Sequence, residues 1–206
     1  MLDMSLIKLP LSICESERIG TLTSRDGEKF DVYVGLNKHY IAQLRERSLD
    51  DTDLDLQKNT SDKKRFGEGS YEDWYAKERT PFALVDSSDH LAALMWFGPK
   101  PLGRKSLRFL STEELEKEGS QEKTEWHTIV YRAYNPFRGR GLMTPFARMV
   151  IDAYRTVYPH VKLWAGMSMD NPASIALATK LGFVMRDDLS DQKDRWCTMV
   201  DGSGRR

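Results

Sequence analysis

In residues 29–34 (KFDVYV) apolar and polar side chains alternate, the two-residue period of a strand with one buried face. The spacing then becomes helical, with Tyr40, Ile41 and Leu44 on one side of residues 37–48 (NKHYIAQLRERS). Residues 49–70 (LDDTDLDLQKNTSDKKRFGEGS) keep no period; acidic first and then basic, they predict a mobile loop or a substrate lid. A helix over residues 71–79 (YEDWYAKER) lines up Tyr71, Trp74 and Tyr75. Two strands follow, 81–88 and 90–98, joined by a turn around Ser88 and Asp89. Residues 99–123 are a charged insertion in which Ser111 and Glu114 have the spacing of a capping box.

The second half is more regular. Residues 125–134 (EWHTIVYRAY) are β-branched and aromatic and predict a long strand. An apolar helical stripe of Phe146, Met149, Val150, Ala153 and Val157 then runs until Pro159. Residues 161–168 (VKLWAGMS) predict a strand, and 171–182 (NPASIALATKLG) a helix started near Asn171 or Ser174 and stopped at Gly182. Residues 183–189 and 195–200 predict a closing pair of strands. The order of elements implies an α/β fold, a mixed and mostly antiparallel central sheet with helices on both faces.

Composition narrows the partners more than the fold. At 206 residues with 40% hydrophobic side chains, the chain is long enough for one domain with a real core, expected to span 1–206. Lys plus Arg and Asp plus Glu are 31 each, a balance that disfavours a nucleic-acid partner. Cys14 and Cys197 are too few for a metal site and read as reduced packing thiols. No apolar run reaches the length of a membrane helix, and the N-terminus, with Asp3 and Pro10, makes a poor signal peptide. The expectation is a cytoplasmic protein with no membrane partner.

Candidate chemistry lies in residues 134–146 (YNPFRGRGLMTPF), where a strand feeds an Arg/Gly turn that opens a helix. Glycines let a backbone approach a ligand closely, and the free N–H groups of a helix N-terminus point at an anion. Arg138 and Arg140 add positive charge beside them. A Walker loop would need Gly-Lys-Ser/Thr, which is absent; a dinucleotide fingerprint would need glycine where Thr144 stands.

The segment RGRGLM resembles the Arg/Gln-x-x-Gly-x-Gly/Ala loop of the GCN5-related N-acetyltransferase (GNAT) family, and residues 171–183 (NPASIALATKLGF) resemble that family's second motif, about thirty residues downstream. The resemblance covers residues 29–200 and implies that Arg138, Gly139, Arg140, Gly141, Leu142 and Met143 wrap the pyrophosphate of acetyl-coenzyme A (acetyl-CoA). It further implies that main-chain groups from Tyr131 to Ala133 hold the pantetheine arm, and that Asn171 contacts the cofactor or the adjoining strand. Two departures stand out: Met143 replaces the last Gly/Ala of the loop, with Pro145 soon after it, and Ala178 replaces a tyrosine that protonates the departing thiolate in many members.

Transfer to an amine also needs a base. His127 shares strand parity with Ile129, Tyr131 and Ala133 and corresponds to the glutamate base of histone-type members; an imidazole can accept an ammonium proton near neutral pH. Its other reading is a packing histidine. Glu125, two residues earlier, is the second candidate, and Asp170 reads as a helix cap. Tyr134 is a candidate acid or a strand-end aromatic. Tyr71, Trp74 and Tyr75 either wall the acceptor pocket or belong to the core. The resemblance therefore implies an acetyltransferase acting on a small-molecule or peptide amine, with a homodimer as a common assembly; a non-catalytic acyl-CoA sensor on the same fold is the alternative.

Overall fold

The computed structural model describes residues 4–105, 109 and 124–202. Most of the charged insertion, with the Ser111/Glu114 box, lies outside the described residues. Eight strands form one sheet in the order β1-β2-β3-β4-β5-β6-β8-β7. The chain divides into two compact units, Met1–Phe97 with Tyr131–His160 and Gly98–Val130 with Val161–Arg206.

The first unit is built on an antiparallel meander: β1 (Ser16–Thr23), β2 (Lys29–Gly35), β3 (Thr80–Asp86) and β4 (Leu91–Pro99). Short turns join β1 to β2 and β3 to β4, whereas the chain passes through a helical layer between β2 and β3 before the two strands pair. Nearly every residue of β3 and β4 is buried, so both faces of these strands are covered. Neighbouring residues on β4 show by what. The ring of Trp96 packs edge-on against Phe66 and Trp74, whereas Phe97 stacks on Tyr154 at 4.1 Å. Because successive side chains point to opposite faces, helices lie on both sides.

One layer consists of α1 (Lys38–Leu49), α2 (Leu54–Asn59), a π-helical turn (Lys63–Gly67) and α3 (Tyr71–Tyr75). The other is α4 (Met143–Val157), which buries Phe146, Ala147, Val150, Ile151 and Tyr154. Of the expected stripe Phe146 and Val150 are buried, whereas Met149, Ala153 and Val157 are half-buried at the edge of that face.

Strand β5 runs from Trp126 to Ala133 (Trp126–Ala133), and its first part, in the second unit, pairs in parallel with β6 (Lys162–Ser168) from Trp126↔Lys162 to Ile129↔Ala165. The remaining pairs, β6 with β8 (Trp196–Asp201) and β8 with β7 (Phe183–Met185), are antiparallel. Between β6 and β7 lies α5 (Pro172–Lys180), capped by Asn171, whose side chain accepts from the N–H of Ser174.

Three elements depart from the sequence reading. Strand β1 was not foreseen: it has one neighbour, a register shift between Arg18 and Gly20, and Ile19 as its sole buried residue, so it carries little apolar period. Residues 49–70, read as a mobile loop, contain α2 and the π-helical turn, with Asp53, Leu56, Asp62 and Phe66 buried. The last predicted strand pair is shorter than expected, since β7 stops at Met185 and a 3-10 turn occupies Asp187–Leu189.

Candidate functional site

At the end of β5 the N–H of Tyr134 donates to Ala92 O (2.9 Å), and that of Phe137 donates back to Tyr134 O (2.8 Å), closing a turn. Gly139 and Gly141 follow with φ of 77° and 76°, the left-handed region that side chains disfavour. Leu142 precedes α4 without a side-chain cap, and the N–H of Phe146 returns to Leu142 O (3.1 Å). The first-turn amides of Met143 and Thr144 therefore have no partner within the helix. Pro145 sits in this same turn, where its missing N–H removes no helical bond. A glycine-rich turn delivering free amides at the start of a fifteen-residue helix is suited to a phosphate.

The loop arginines are already engaged. Arg138 donates from Nε to Ala133 O (2.8 Å) and from its two Nη atoms to the two carboxylate oxygens of Asp53 (2.6 and 2.7 Å), a bidentate fork. Arg140 pairs with Asp26 and Glu28. Hydrogen bonds from Ser24 and then Arg140 hold the Asp26 carboxyl below the ordinary 3.8, and Asp26 in turn raises the Arg140 guanidinium. The loop thus offers an anion its main chain more readily than free positive charge.

Tyr134 is fully buried, with Arg47 over its ring at 5.0 Å and its hydroxyl without a hydrogen-bond partner among the described residues. Burial pushes that hydroxyl well above the usual range, so it holds its proton. Tyr71, Trp74 and Tyr75 are each more than nine-tenths buried, and Trp74 packs with Phe66 and Trp96. Tyr75 donates to Leu11 O, and burial raises it to about 12. Of the three, Tyr71 lines a 210 Å³ pocket with Ile41, Leu44, Arg45, Phe66 and Glu72.

Comparison with known proteins bears on the family and the fold. A sequence profile described as an Acetyltransferase (GNAT) domain matches residues 47–184, well over half of the chain. The chain belongs to the GNAT acetyltransferase family. No curated protein matches the sequence. Among solved structures, RimJ of Mycobacterium smegmatis, in complex with CoA-disulfide, is 16% identical, with 91% of this chain and 86% of that one covered at a TM-score of 0.59. A ribosomal-protein-S5-alanine acetyltransferase from Vibrio fischeri is 11% identical (91% and 100% covered, TM-score 0.54), and the GNAT domain of S. lividans PAT is 10% identical (88% and 94%, 0.55). At such identities the likeness is one of fold.

In this GNAT domain Tyr131 and Ala133 close β5 in the first unit, and the other candidates lie in the second. His127 is half-buried on β5, level with Leu163 of β6. Glu125, just before β5, is exposed and forms an ion pair with Lys162 at 2.6 Å. Asn171 spends its side-chain oxygen on capping α5. Asp170 does not cap the helix but pairs with Arg195 at 2.7 Å. Ala178 is completely buried. Both cysteines are free thiols. Among the described residues no group of three or more His, Cys, Asp or Glu could hold a metal, and no helix is long and apolar enough to cross a membrane.

Sequence reasoning missed the carboxylates that hold the loop, Asp53, Asp26 and Glu28. For Asp53 a local signal existed: an aspartate directly before Leu-x-Leu is a helix-cap pattern, and it caps α2 here.

Proposed function

We propose that this GNAT domain transfers an acetyl group from acetyl-CoA to a primary amine by direct attack on the thioester. The observation that carries the reading is the loop itself, with glycines 139 and 141 at positive φ leading into the uncapped N-terminus of α4. The amides around Gly139, Gly141, Leu142 and Met143 bind the pyrophosphate, with Arg138 and Arg140 shaping the turn, and main-chain groups of Tyr131 and Ala133 hold the pantetheine arm. Asn171 serves by starting α5. Tyr71 contributes to the acceptor pocket, with Trp74 and Tyr75 supporting it from the core.

In the reaction the amine nitrogen attacks the thioester carbonyl carbon, the C–N bond forms, and the C–S bond breaks to release coenzyme A thiolate. His127, with Glu125 as second candidate, accepts the ammonium proton. With Ala178 in place of a tyrosine and Tyr134 buried, the thiolate is protonated by solvent; its reference pKa of about 8.5 makes it a tolerable leaving group. The reading takes the protein as cytoplasmic, with a homodimer as the assembly to test by ultracentrifugation. One solved relative is named for an alanine of a ribosomal protein and another, RimL, as an alpha-N-protein acetyltransferase, so peptide N-termini belong in the amine screen.

Calorimetric titration with acetyl-CoA and its dephospho-analogue, followed by thiol release over a panel of amines, tests the proposal. Micromolar binding that depends on the phosphates, with thiol release, is expected; no binding at millimolar ligand removes the reading. Binding without turnover for any amine favours a non-catalytic acyl-CoA sensor, the reading that buried Ala178 motivates. Replacement of His127 by Ala is expected to lower kcat by about 100-fold at pH 7 with coenzyme A affinity retained.

A further inference from the structure

A turn with two glycines at positive φ has much conformational freedom, so something outside it must hold its amides in place before a ligand arrives. The structure supplies a brace. Arg138 bonds through Nε to Ala133 O at the end of β5, and through both Nη atoms to Asp53, eighty-five residues away in sequence. Asp53 is itself immobilised: it is 6% exposed and its Oδ1 accepts from the N–H of Leu56 (3.0 Å) as the cap of α2. The guanidinium is fixed at both ends, across the base of the loop. The second loop arginine is braced differently, by the exposed carboxylates of Asp26 and Glu28, which hold it less firmly.

We propose that Asp53 is a positioning residue for the coenzyme A loop, acting through Arg138 to pre-set the main chain from Gly139 to Met143 for a pyrophosphate. This rests on the acyl-CoA reading of the loop. Asp53 does not touch the ligand; its carboxylate turns both Nη atoms of Arg138 toward α2, so that the arginine serves as a strut. A strut works only as a pair, and that gives the proposal its test.

The experiment measures the Kd of coenzyme A by calorimetry for the wild type, Asp53→Asn, Arg138→Lys and the double variant, each well below its unfolding temperature. Asparagine keeps the cap acceptor toward Leu56 but loses the charged fork, and lysine keeps the charge but cannot make it. Each single variant is expected to weaken binding about tenfold, with KM for acetyl-CoA rising by more than kcat falls. The double variant is expected to match the singles, not to reach their product. If Asp53→Asn leaves Kd within about twofold, or the two changes multiply, the proposal is overturned while the acyl-CoA reading stands. A purely structural role would lower the unfolding temperature without that coupling in Kd. Should Asp53→Asn fail to fold, Asp53→Glu, which keeps the charge and shifts the fork, takes its place in the same cycle. A wild type that does not bind coenzyme A removes the acyl-CoA reading and this proposal with it.

Discussion

Gly139 and Gly141 have nearly the same φ but different surroundings. A Cβ on Gly139 would meet nothing within 4 Å, whereas one on Gly141 would lie 2.9 Å from Nε of Arg25. Gly139→Ala therefore carries only the backbone cost, about 1 kcal/mol. Gly141→Ala carries that cost plus displacement of Arg25, and is expected to lose more in both denaturant stability and coenzyme A affinity. Equal losses in the two variants would show that Arg25 does not matter. The Asp26–Arg140 pair makes a pH prediction of known sign. The carboxyl is depressed below 3.8 in the folded state, so its contribution is present above that value and lost as pH falls through the depressed one. Protection of the amides of residues 139–141 against hydrogen exchange, taken relative to the intrinsic rate at each pH, is expected to hold from pH 7 to about 5 and to fall only below about 4. Tyr134, whose hydroxyl burial pushes well above the usual range, should not contribute to a spectrophotometric tyrosine titration below about pH 11 while the fold persists.

At the scale of elements, residues 49–67 show how a polar segment becomes ordered. Leu56 and Phe66 give it a small apolar share, and two aspartates nine positions apart reach arginines on either side of Tyr134: Asp53 with Arg138, and Asp62 with Arg132. The inner pair is more than nine-tenths buried, the Arg132 guanidinium lies 4.4 Å over the Trp96 ring, and Asp62 also accepts from Arg65 (3.0 Å). Arg132 Nη1 and Asp62 Oδ2 are 2.5 Å apart without hydrogen-bond alignment, so their contact is chiefly coulombic. Removing one partner strands a charge in the interior. Asp62→Ala is expected to destabilise by about 3–5 kcal/mol in urea unfolding, and the double change Asp62→Leu with Arg132→Met by clearly less. A double variant as unstable as the single would mean that the pair contributes more than its own neutralisation. The period-free composition of this segment hid its helices because those carboxylates answer to partners far away in the chain.

For the whole molecule, a formal net charge of zero provides no long-range attraction for a polyanion, and the loop arginines are already neutralised locally. On the proposed reading, affinity for coenzyme A then depends on oriented amides at short range. Saturation at about 100 times Kd would add about 2.7 kcal/mol of stability and raise the unfolding temperature measurably, a shift the dephospho-analogue should largely fail to produce. Much of this molecule was legible in advance, and for local reasons. The alternation in residues 29–34, the helix that ends at Val157 before Pro159 and the Asn171 cap are set by neighbours within a few positions, and glycines 139 and 141 permit the φ values their turn requires. By itself the sequence determined the α/β class, the central elements and the place of the glycine turn before α4. Only the tertiary structure decided which charges are committed: that Arg138 forms a bidentate pair with Asp53, that Asp62 and Arg132 form a buried pair, and that Trp74 and Tyr75 are core while Tyr71 reaches a pocket. The reason is physical. Period and backbone conformation follow from short stretches of chain, whereas ion pairing and burial depend on distances in space between residues that the order of the chain leaves far apart.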